Sequence, residues 1–122
     1  KGDNLKAYVD GPGGTGKTVL LNLITAKLRY KGKIVLCVAS TAIAALNYEG
    51  GCTTHSMFKI PIEDLDNKSV CNVSNSSQRA NLIWEAAVII WDELPMTHKF
   101  IIEAVDRTLR DFKKKKKLFF WW

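Results

Sequence analysis

A glycine-rich segment close to the start of the chain has the residue types that bind phosphate. Residues 11–18 read GPGGTGKT and match the pattern G-x-x-x-x-G-K-[ST], in which successive backbone N–H groups turn toward a phosphate chain. Lys17 would reach the β and γ phosphates, and the Thr18 hydroxyl would bind Mg²⁺. A glycine-rich turn with a chance lysine is the alternative. The predicted nucleotide-binding residues are Gly11, Pro12, Gly13, Gly14, Thr15, Gly16, Lys17 and Thr18.

Two adjacent carboxylates end an apolar run in the second half of the chain, within the sequence AAVIIWDEL. A nucleotide held with Mg²⁺ needs a carboxylate at the end of a buried strand, and Asp92 is predicted to bind the metal there. Glu93 is predicted to orient or deprotonate the attacking water, which makes Lys17 and Glu93 the candidate catalytic residues. The alternative is that both acids stabilise the start of the next helix.

The phosphate-binding segment and the acidic pair together favour hydrolysis of a nucleoside triphosphate. A small P-loop kinase is the second hypothesis, and such an enzyme usually needs an arginine cluster that binds its other substrate. The arginines of this chain are scattered along the sequence: Arg29, Arg79, Arg107 and Arg110.

Alternating strand and helix patterns would position these motifs. Apolar runs predict buried strands at residues 5–10, 33–39 and 87–93. Start and stop signals predict helices at residues 16–30, 77–86 and 98–112, and a short helix within residues 40–51. The candidate core residues of the first and last helices are Leu20, Leu21, Leu23, Ile24, Leu28, Phe100, Ile101, Ala104, Val105 and Leu109. Residues 60–77 predict a long surface excursion. Strands that alternate with helices predict an α/β fold with a parallel sheet.

The composition excludes some classes of protein and leaves others open. The net charge is +6, but five of the 18 basic residues lie at 113–117 and the other 13 face 12 acids, so charge alone is poor support for a nucleic-acid partner. Three cysteines without a CxxC pair indicate neither a zinc cluster nor a complete disulfide framework. Apolar runs far shorter than the roughly 20 residues of a membrane span predict no membrane partner.

Four segments occur in a fixed order along the chain: GPGGTGKT, VASTAIAAL, GGCTTHSMFKIP and IIWDELPM, followed by DRTLRD. In this order they resemble the petite-integration-frequency (PIF) DNA helicases, in the plant and invertebrate branch related to Helitron transposon helicases. The resemblance extends over about residues 5–111. The resemblance is specific because all four segments match together. A match to the phosphate loop alone would not be specific.

The resemblance implies an ATP-dependent, 5′-to-3′ superfamily 1 helicase, with residues 1–111 as part of its first, RecA-like P-loop motor domain. ATP and single-stranded DNA are the implied partners. By the same resemblance, Thr41 would bind a DNA phosphate through its hydroxyl or its backbone N–H. Thr54 and His55 would add contacts, and Phe58 could stack on a base. The alternatives are a helix cap for Thr41, a buried imidazole for His55 and a core position for Phe58.

The sequence also departs from the family pattern. Ala42 replaces a usual glycine, which would matter if that position needs a positive φ or a close approach of DNA. Residues 112–122 read FKKKKKLFFWW and are predicted to be an atypical basic-aromatic tail with an exposed apolar end.

The family pattern implies several segments that residues 1–122 do not contain. They are an adenine-reading glutamine segment, a strand carrying GGDFRQ that senses the γ-phosphate, and a second motor domain with an arginine finger. We therefore regard the domain as incomplete and expect ATP turnover by this chain alone to be near background, since such a finger contributes about 10³- to 10⁵-fold in rate. A non-catalytic nucleotide-binding remnant is a further alternative. The resemblance implies a nuclear or mitochondrial role in DNA repair, recombination, telomere maintenance or transposition, and leaves the oligomeric state open.

Overall fold

Strands and helices alternate along most of the chain, as the sequence predicts. The computed structural model describes residues 6–8, 16–74, 76–111 and 118–121. The strands are β1 (Lys6–Tyr8), β2 (Val35–Ala39), β3 (Cys52–Thr53), β4 (Val88–Asp92) and β5 (Leu118–Trp121). The helices are α1 (Lys17–Tyr30), α2 (Ala42–Ala45), α3 (Thr54–Phe58), α4 (Gln78–Glu85) and α5 (Lys99–Asp111), with a 3₁₀ turn at Leu94–Met96.

The strands form one parallel sheet in the order β1-β5-β4-β2-β3. Its centre is the β2–β4 pair, in register from Val35 opposite Val88 to Ala39 opposite Asp92. Every residue of both strands is buried, as expected for parallel strands covered by helices on two faces. The predicted α/β fold with a parallel sheet is confirmed.

Side chains alternate between the two faces of the sheet, and each face has its own apolar cluster. The cluster on the α1 face consists of Leu21, Val35, Cys37, Tyr48, Val88 and Ile90. The cluster on the face covered by α3, α4 and α5 includes Leu36, Val38, Phe58, Ile83, Ile89, Trp91, Ala104 and Val105. Asp92 follows Val88 and Ile90 at a period of two, so its carboxylate lies on the α1 face.

Helix α1 buries a narrower surface than its sequence suggests. Leu21 is fully buried, and Ile24 and Leu28 pack against the same cluster. Leu20 and Leu23, which were also predicted to face the core, are 52% and 64% exposed. The helix therefore meets the sheet through a narrow stripe formed by Leu21, Ile24, Thr25 and Leu28.

Helix α5 buries the face that its periodicity predicts. Ala104 and Val105 are buried, while Ile101 and Leu109 are partly buried against the same core. Phe100 differs from the prediction, because its ring lies beside His98 at a centroid distance of 4.9 Å.

The middle of the chain contains elements that the sequence pattern did not predict. The helix after β2 spans only four residues, and β3 and α3 follow it before the long excursion. Residues 60–74 contain neither helix nor strand, as predicted. The Arg107 side chain donates hydrogen bonds to the Ser69 carbonyl, and the Cys71 amide donates to the Thr108 hydroxyl at 3.0 Å. These bonds attach the excursion to α5.

The aromatic end of the chain belongs to the sheet. Residues 112–122 were predicted to be a tail, but β5 pairs with β1 on one side and with β4 on the other. Phenylalanine and tryptophan favour strands, which is consistent with this placement. The sheet therefore extends beyond the domain boundary predicted at residue 111. The lysines at 113–117 and Trp122 lie outside the described residues.

Among the described residues, none of the helices combines the length and the apolar character needed to cross a bilayer.

Candidate functional site

The start of α1 and the residue before it are the last three residues of the predicted phosphate-binding segment. Gly16 precedes the helix with φ 84° and ψ 13°, a left-handed conformation that favours glycine. Lys17 and Thr18 are the first two helical residues, so they lie at the positive end of the helix dipole. The other predicted nucleotide-binding residues, Gly11, Pro12, Gly13, Gly14 and Thr15, lie outside the described residues.

Asp92, the predicted metal ligand, is buried at the carboxyl end of β4 on the face that α1 covers. The Tyr48 hydroxyl donates a hydrogen bond to Asp92 Oδ2 at 3.2 Å. The Thr18 side chain lies beside the same phenol, where it opposes the rise that burial causes in the pKa of Tyr48. Thr18 and Asp92, the two predicted ligands of Mg²⁺, therefore contact the same phenol group.

The electrostatics of Asp92 connect it to both motifs. Burial raises the pKa of the Asp92 carboxyl, and the charge of Glu93 acts in the same direction. The hydrogen bond from Tyr48 and the positive charge of Lys17 oppose this rise. Lys17 thus lies close enough to Asp92 for their charges to interact, although the two residues are far apart in the sequence.

The chemistry of these side chains suits a magnesium ion. Mg²⁺ prefers hard oxygen ligands and usually takes one or two from protein, with water and substrate phosphates as the others. Thr18 offers a hydroxyl and Asp92 a carboxylate, and Tyr48 brings them together. The residues present therefore fit Mg²⁺ bound together with a nucleotide.

Glu93, the predicted catalytic base, has an uncommon backbone conformation. Its φ is 62° and its ψ is 32°, in the left-handed region that a glutamate adopts at a cost of about 1–3 kcal/mol. Two hydroxyls donate to its carbonyl oxygen, from Ser40 at 3.4 Å and from Thr97 at 3.3 Å. The same two hydroxyls are 2.7 Å apart. This group of bonds holds Glu93 at the turn that follows β4.

Thr41, a predicted DNA contact, forms two hydrogen bonds through its hydroxyl. Its hydroxyl caps α2 by accepting from the Ala44 amide at 3.2 Å, as in the cap alternative. The same hydroxyl donates to Glu93 Oε2 at 3.4 Å. Ala42, which replaces the glycine of the family pattern, is the first residue of α2 and is exposed without a positive φ. The substitution therefore introduces no backbone strain.

The second predicted DNA-binding segment is mostly part of the core. Thr54 is 1% exposed, and its hydroxyl donates to the Ala39 carbonyl at 3.0 Å. Phe58 is fully buried and lies against Trp91 with ring centroids 6.1 Å apart. These placements correct the prediction for both residues, since neither side chain presents a surface to DNA. His55 is exposed on α3, so its buried-imidazole alternative does not hold.

Tyr48, Ser40 and Thr97 complete the site, although the motifs did not single out Tyr48 or Thr97. Ser40 lies within the segment VASTAIAAL, but that segment does not indicate its contact with Glu93. Tyr48 lies in the turn between α2 and β3, two residues before Gly50, where local sequence indicates a loop and nothing more. Only the hydrogen bond to Asp92, 44 positions away in the sequence, identifies Tyr48 as part of the site.

Residues 2–120 match the sequence profile of the PIF1-like helicases. The chain belongs to this family. Two curated PIF1-family relatives are ATP-dependent DNA helicases. PIF4 of Trypanosoma brucei brucei is 33% identical over 111 residues, which cover 88% of this chain and 13% of the relative. Pif1 of a Psychrobacter species is 34% identical over 113 residues, which cover 92% of this chain and 17% of the relative. The chain spans less than a fifth of either protein.

Solved Pif1 structures share the fold. Bacteroides Pif1 bound to single-stranded DNA superposes with a TM-score of 0.76 at 28% identity, covering 97% of this chain and 28% of that one. Pif1 from a Bacteroides species in complex with ADP-AlF4 gives a TM-score of 0.75 at 30% identity, with the same coverage. The PIF1-type sequence resemblance and the RecA-like fold are thereby confirmed, and the chain corresponds to part of the helicase motor domain.

Proposed function

We propose that this chain is the nucleotide-binding part of the first motor domain of an ATP-dependent 5′-to-3′ DNA helicase. The observation that carries the proposal is the meeting of Thr18, Tyr48 and Asp92 at the start of α1, with Lys17 close enough to influence the carboxylate. Two motifs far apart in sequence thus form one polar site at the carboxyl edge of the sheet, where parallel α/β folds bind ligands.

In this proposal each polar residue has a defined role. The backbone of residues 11–16 and Lys17 bind the phosphates of ATP, and Thr18 and Asp92 hold Mg²⁺, which neutralises the phosphate charge. Glu93 orients the attacking water and accepts its proton. The left-handed turn at Glu93, supported by Ser40 and Thr97, fixes the backbone position from which the Glu93 side chain extends.

The DNA part of the proposal rests on the two predicted contacts that remain accessible, Thr41 and His55. Thr41→Val should weaken binding of single-stranded DNA to the parent protein by about 10-fold or more, the value of one hydrogen bond to a charged group. Thr41→Ser keeps the hydroxyl and is the matched control. Equal DNA affinity in Thr41→Val and in the unmodified protein would contradict the assignment of Thr41.

The central experiment compares ATP turnover by this chain and by the parent protein, each with and without single-stranded DNA and each with Lys17→Ala. We expect DNA-stimulated turnover by the parent, loss of it in the Lys17→Ala variant, and near-background rates in the short chain. Turnover by the short chain that ignores DNA would contradict the proposal and favour a P-loop kinase. Nucleotide binding without DNA-stimulated hydrolysis in either protein would favour a non-catalytic remnant.

The cellular setting is part of the same proposal. A PIF1-family helicase of this kind would act on nuclear or mitochondrial DNA, in repair, recombination, telomere maintenance or transposition. Imaging of the tagged parent protein tests the compartment, since a location outside both organelles would contradict it.

A further inference from the structure

Tyr48 is a buried polar residue for which neither motif accounts. It is 4% exposed, and its ring packs in the apolar cluster between α1 and the sheet. A phenylalanine would fill the same space, so packing alone does not explain the hydroxyl. That hydroxyl donates to Asp92 Oδ2 at 3.2 Å, and the Thr18 side chain lies beside it. The phenol group is therefore next to both side chains that are candidates for binding Mg²⁺.

The turn that carries Tyr48 is attached to α1 on both sides of this residue. Asn22 Nδ2 donates to the Asn47 carbonyl at 2.8 Å, and Arg29 Nη1 donates to the Glu49 carbonyl at 2.9 Å. Arg29 also donates through Nη2 to the Val35 carbonyl at 2.9 Å, which connects the turn to β2. Helix α1 thus holds in place both the backbone of Tyr48 and the phosphate-binding Lys17 and Thr18.

The end of the turn is equally constrained. A Cβ atom at Gly51 would lie 2.3 Å from the Ala45 carbonyl oxygen and 3.1 Å from the Tyr48 carbonyl oxygen. Only glycine allows the chain to pass this close to α2 before it enters β3. The position of Tyr48 is therefore determined by three separate constraints, which leave its hydroxyl little freedom to move away from Asp92.

We propose that Tyr48 is a positioning residue that orients the Asp92 carboxylate and the Thr18 hydroxyl to bind Mg²⁺ together with the nucleotide. Its hydrogen bond holds Asp92 Oδ2, and the same phenol lies beside the Thr18 side chain. This inference deepens the proposed function and rests on it. Groups that orient metal ligands in this way commonly change metal affinity by about 10- to 100-fold when they are replaced.

The test measures binding of a fluorescent ADP analogue to this chain in EDTA and in Mg²⁺, which gives the factor by which the metal increases nucleotide affinity. Tyr48→Phe should leave the affinity in EDTA unchanged and reduce the factor about 10-fold, near the lower end of the range for such groups. The matched control is Tyr30→Phe, whose side chain is 92% exposed and should leave both values unchanged. Titration with Mn²⁺, followed by its electron paramagnetic resonance signal, should show the same loss of metal affinity directly.

The outcomes separate the two proposals. An undiminished Mg²⁺ factor in a folded Tyr48→Phe variant would overturn the role of Tyr48 and leave the nucleotide site intact. Equal weakening in EDTA and in Mg²⁺ would also overturn it, since that result indicates damage to the phosphate site rather than to the metal site. If the unmodified chain binds no nucleotide under either condition, the proposed function itself fails and this inference fails with it.

Discussion

Two polar regions at the carboxyl edge of the sheet use their hydrogen bonds in different ways. At the end of β4, hydroxyls from Tyr48 and Thr41 donate to the carboxylates of Asp92 and Glu93. At residues 53–58, the hydroxyls bond to backbone instead, to the Ser56 amide and the Ala39 carbonyl. The first kind of bond orients carboxylates that are candidates for binding ligand, whereas the second kind maintains the fold. The difference separates a site that binds ligand from a segment that supports it.

The largest effect should come from the supporting region. Phe58→Ala removes a fully buried ring next to Trp91, and it should lower the free energy of unfolding by about 3–5 kcal/mol. Denaturation in urea measures this value. His55→Ala, on the same short helix but exposed, should stay within about 0.5 kcal/mol of the unmodified chain. Similar small losses in both variants would break the distinction between the two regions.

A hydroxyl in the same region should contribute to the stability of the fold and not to the affinity for nucleotide. Thr54→Val deprives the Ala39 carbonyl of a buried donor at 3.0 Å and should cost about 1–3 kcal/mol of unfolding free energy. The affinity of the folded variant for the fluorescent ADP analogue should not change. Ser56→Ala is the control because that side chain is exposed. A selective loss of nucleotide affinity in Thr54→Val would instead assign this hydroxyl to the ligand site.

The end of β4 should show the opposite behaviour, in which function is kept at the expense of stability. Glu93→Gly removes the cost of a left-handed glutamate and should raise the free energy of unfolding by about 1 kcal/mol, while turnover by the parent protein is lost. Glu63→Gly, at an exposed position without a positive φ, should be neutral or destabilising. Destabilisation by Glu93→Gly that equals the control would show that the turn stores no strain.

The smallest effect concerns pH. Because burial raises the pKa of Asp92, ionising this carboxyl costs stability in the folded chain at neutral pH, and the cost disappears as pH falls through the raised pKa toward the ordinary aspartate value. In EDTA, Asp92→Asn should therefore increase the unfolding free energy at pH 7, and this gain should shrink with acidification. Glu63→Gln is the control at an exposed position. A gain that grows on acidification would mean that the pKa is lowered instead.

Much of the fold and part of the site could be predicted because they depend on local patterns. The apolar runs predict that β2 and β4 are buried strands. The period of two along β4 then predicts that Asp92 faces the helix that starts with Lys17. The helical period of the apolar residues likewise predicts which face of α5 is buried.

The features that were missed depend on contacts between distant residues. Tyr48 meets Asp92 only because Asn22 and Arg29 hold its turn, through bonds that join residues 25 and 20 positions apart. Phe58 occurs in a motif that suggests a DNA contact, yet a two-residue strand and a short helix carry it into the core. Burial of a motif residue is a property of the assembled sheet, and a linear pattern does not contain it.

The position of β5 has a consequence for how the chain acquires its structure. In the described sheet β1 is an edge strand whose partner is β5, and the paired residues Lys6 and Phe119 are more than one hundred positions apart. Pairings of such long sequence separation are slow to form because a large loop must close first. During synthesis on a ribosome, β1 would emerge before β2 and β4 and pair with β5 only after both of these strands had been made. The β2–β4 pair could already be formed by then, so the strand that leads into the phosphate-binding segment would join the sheet later than the centre.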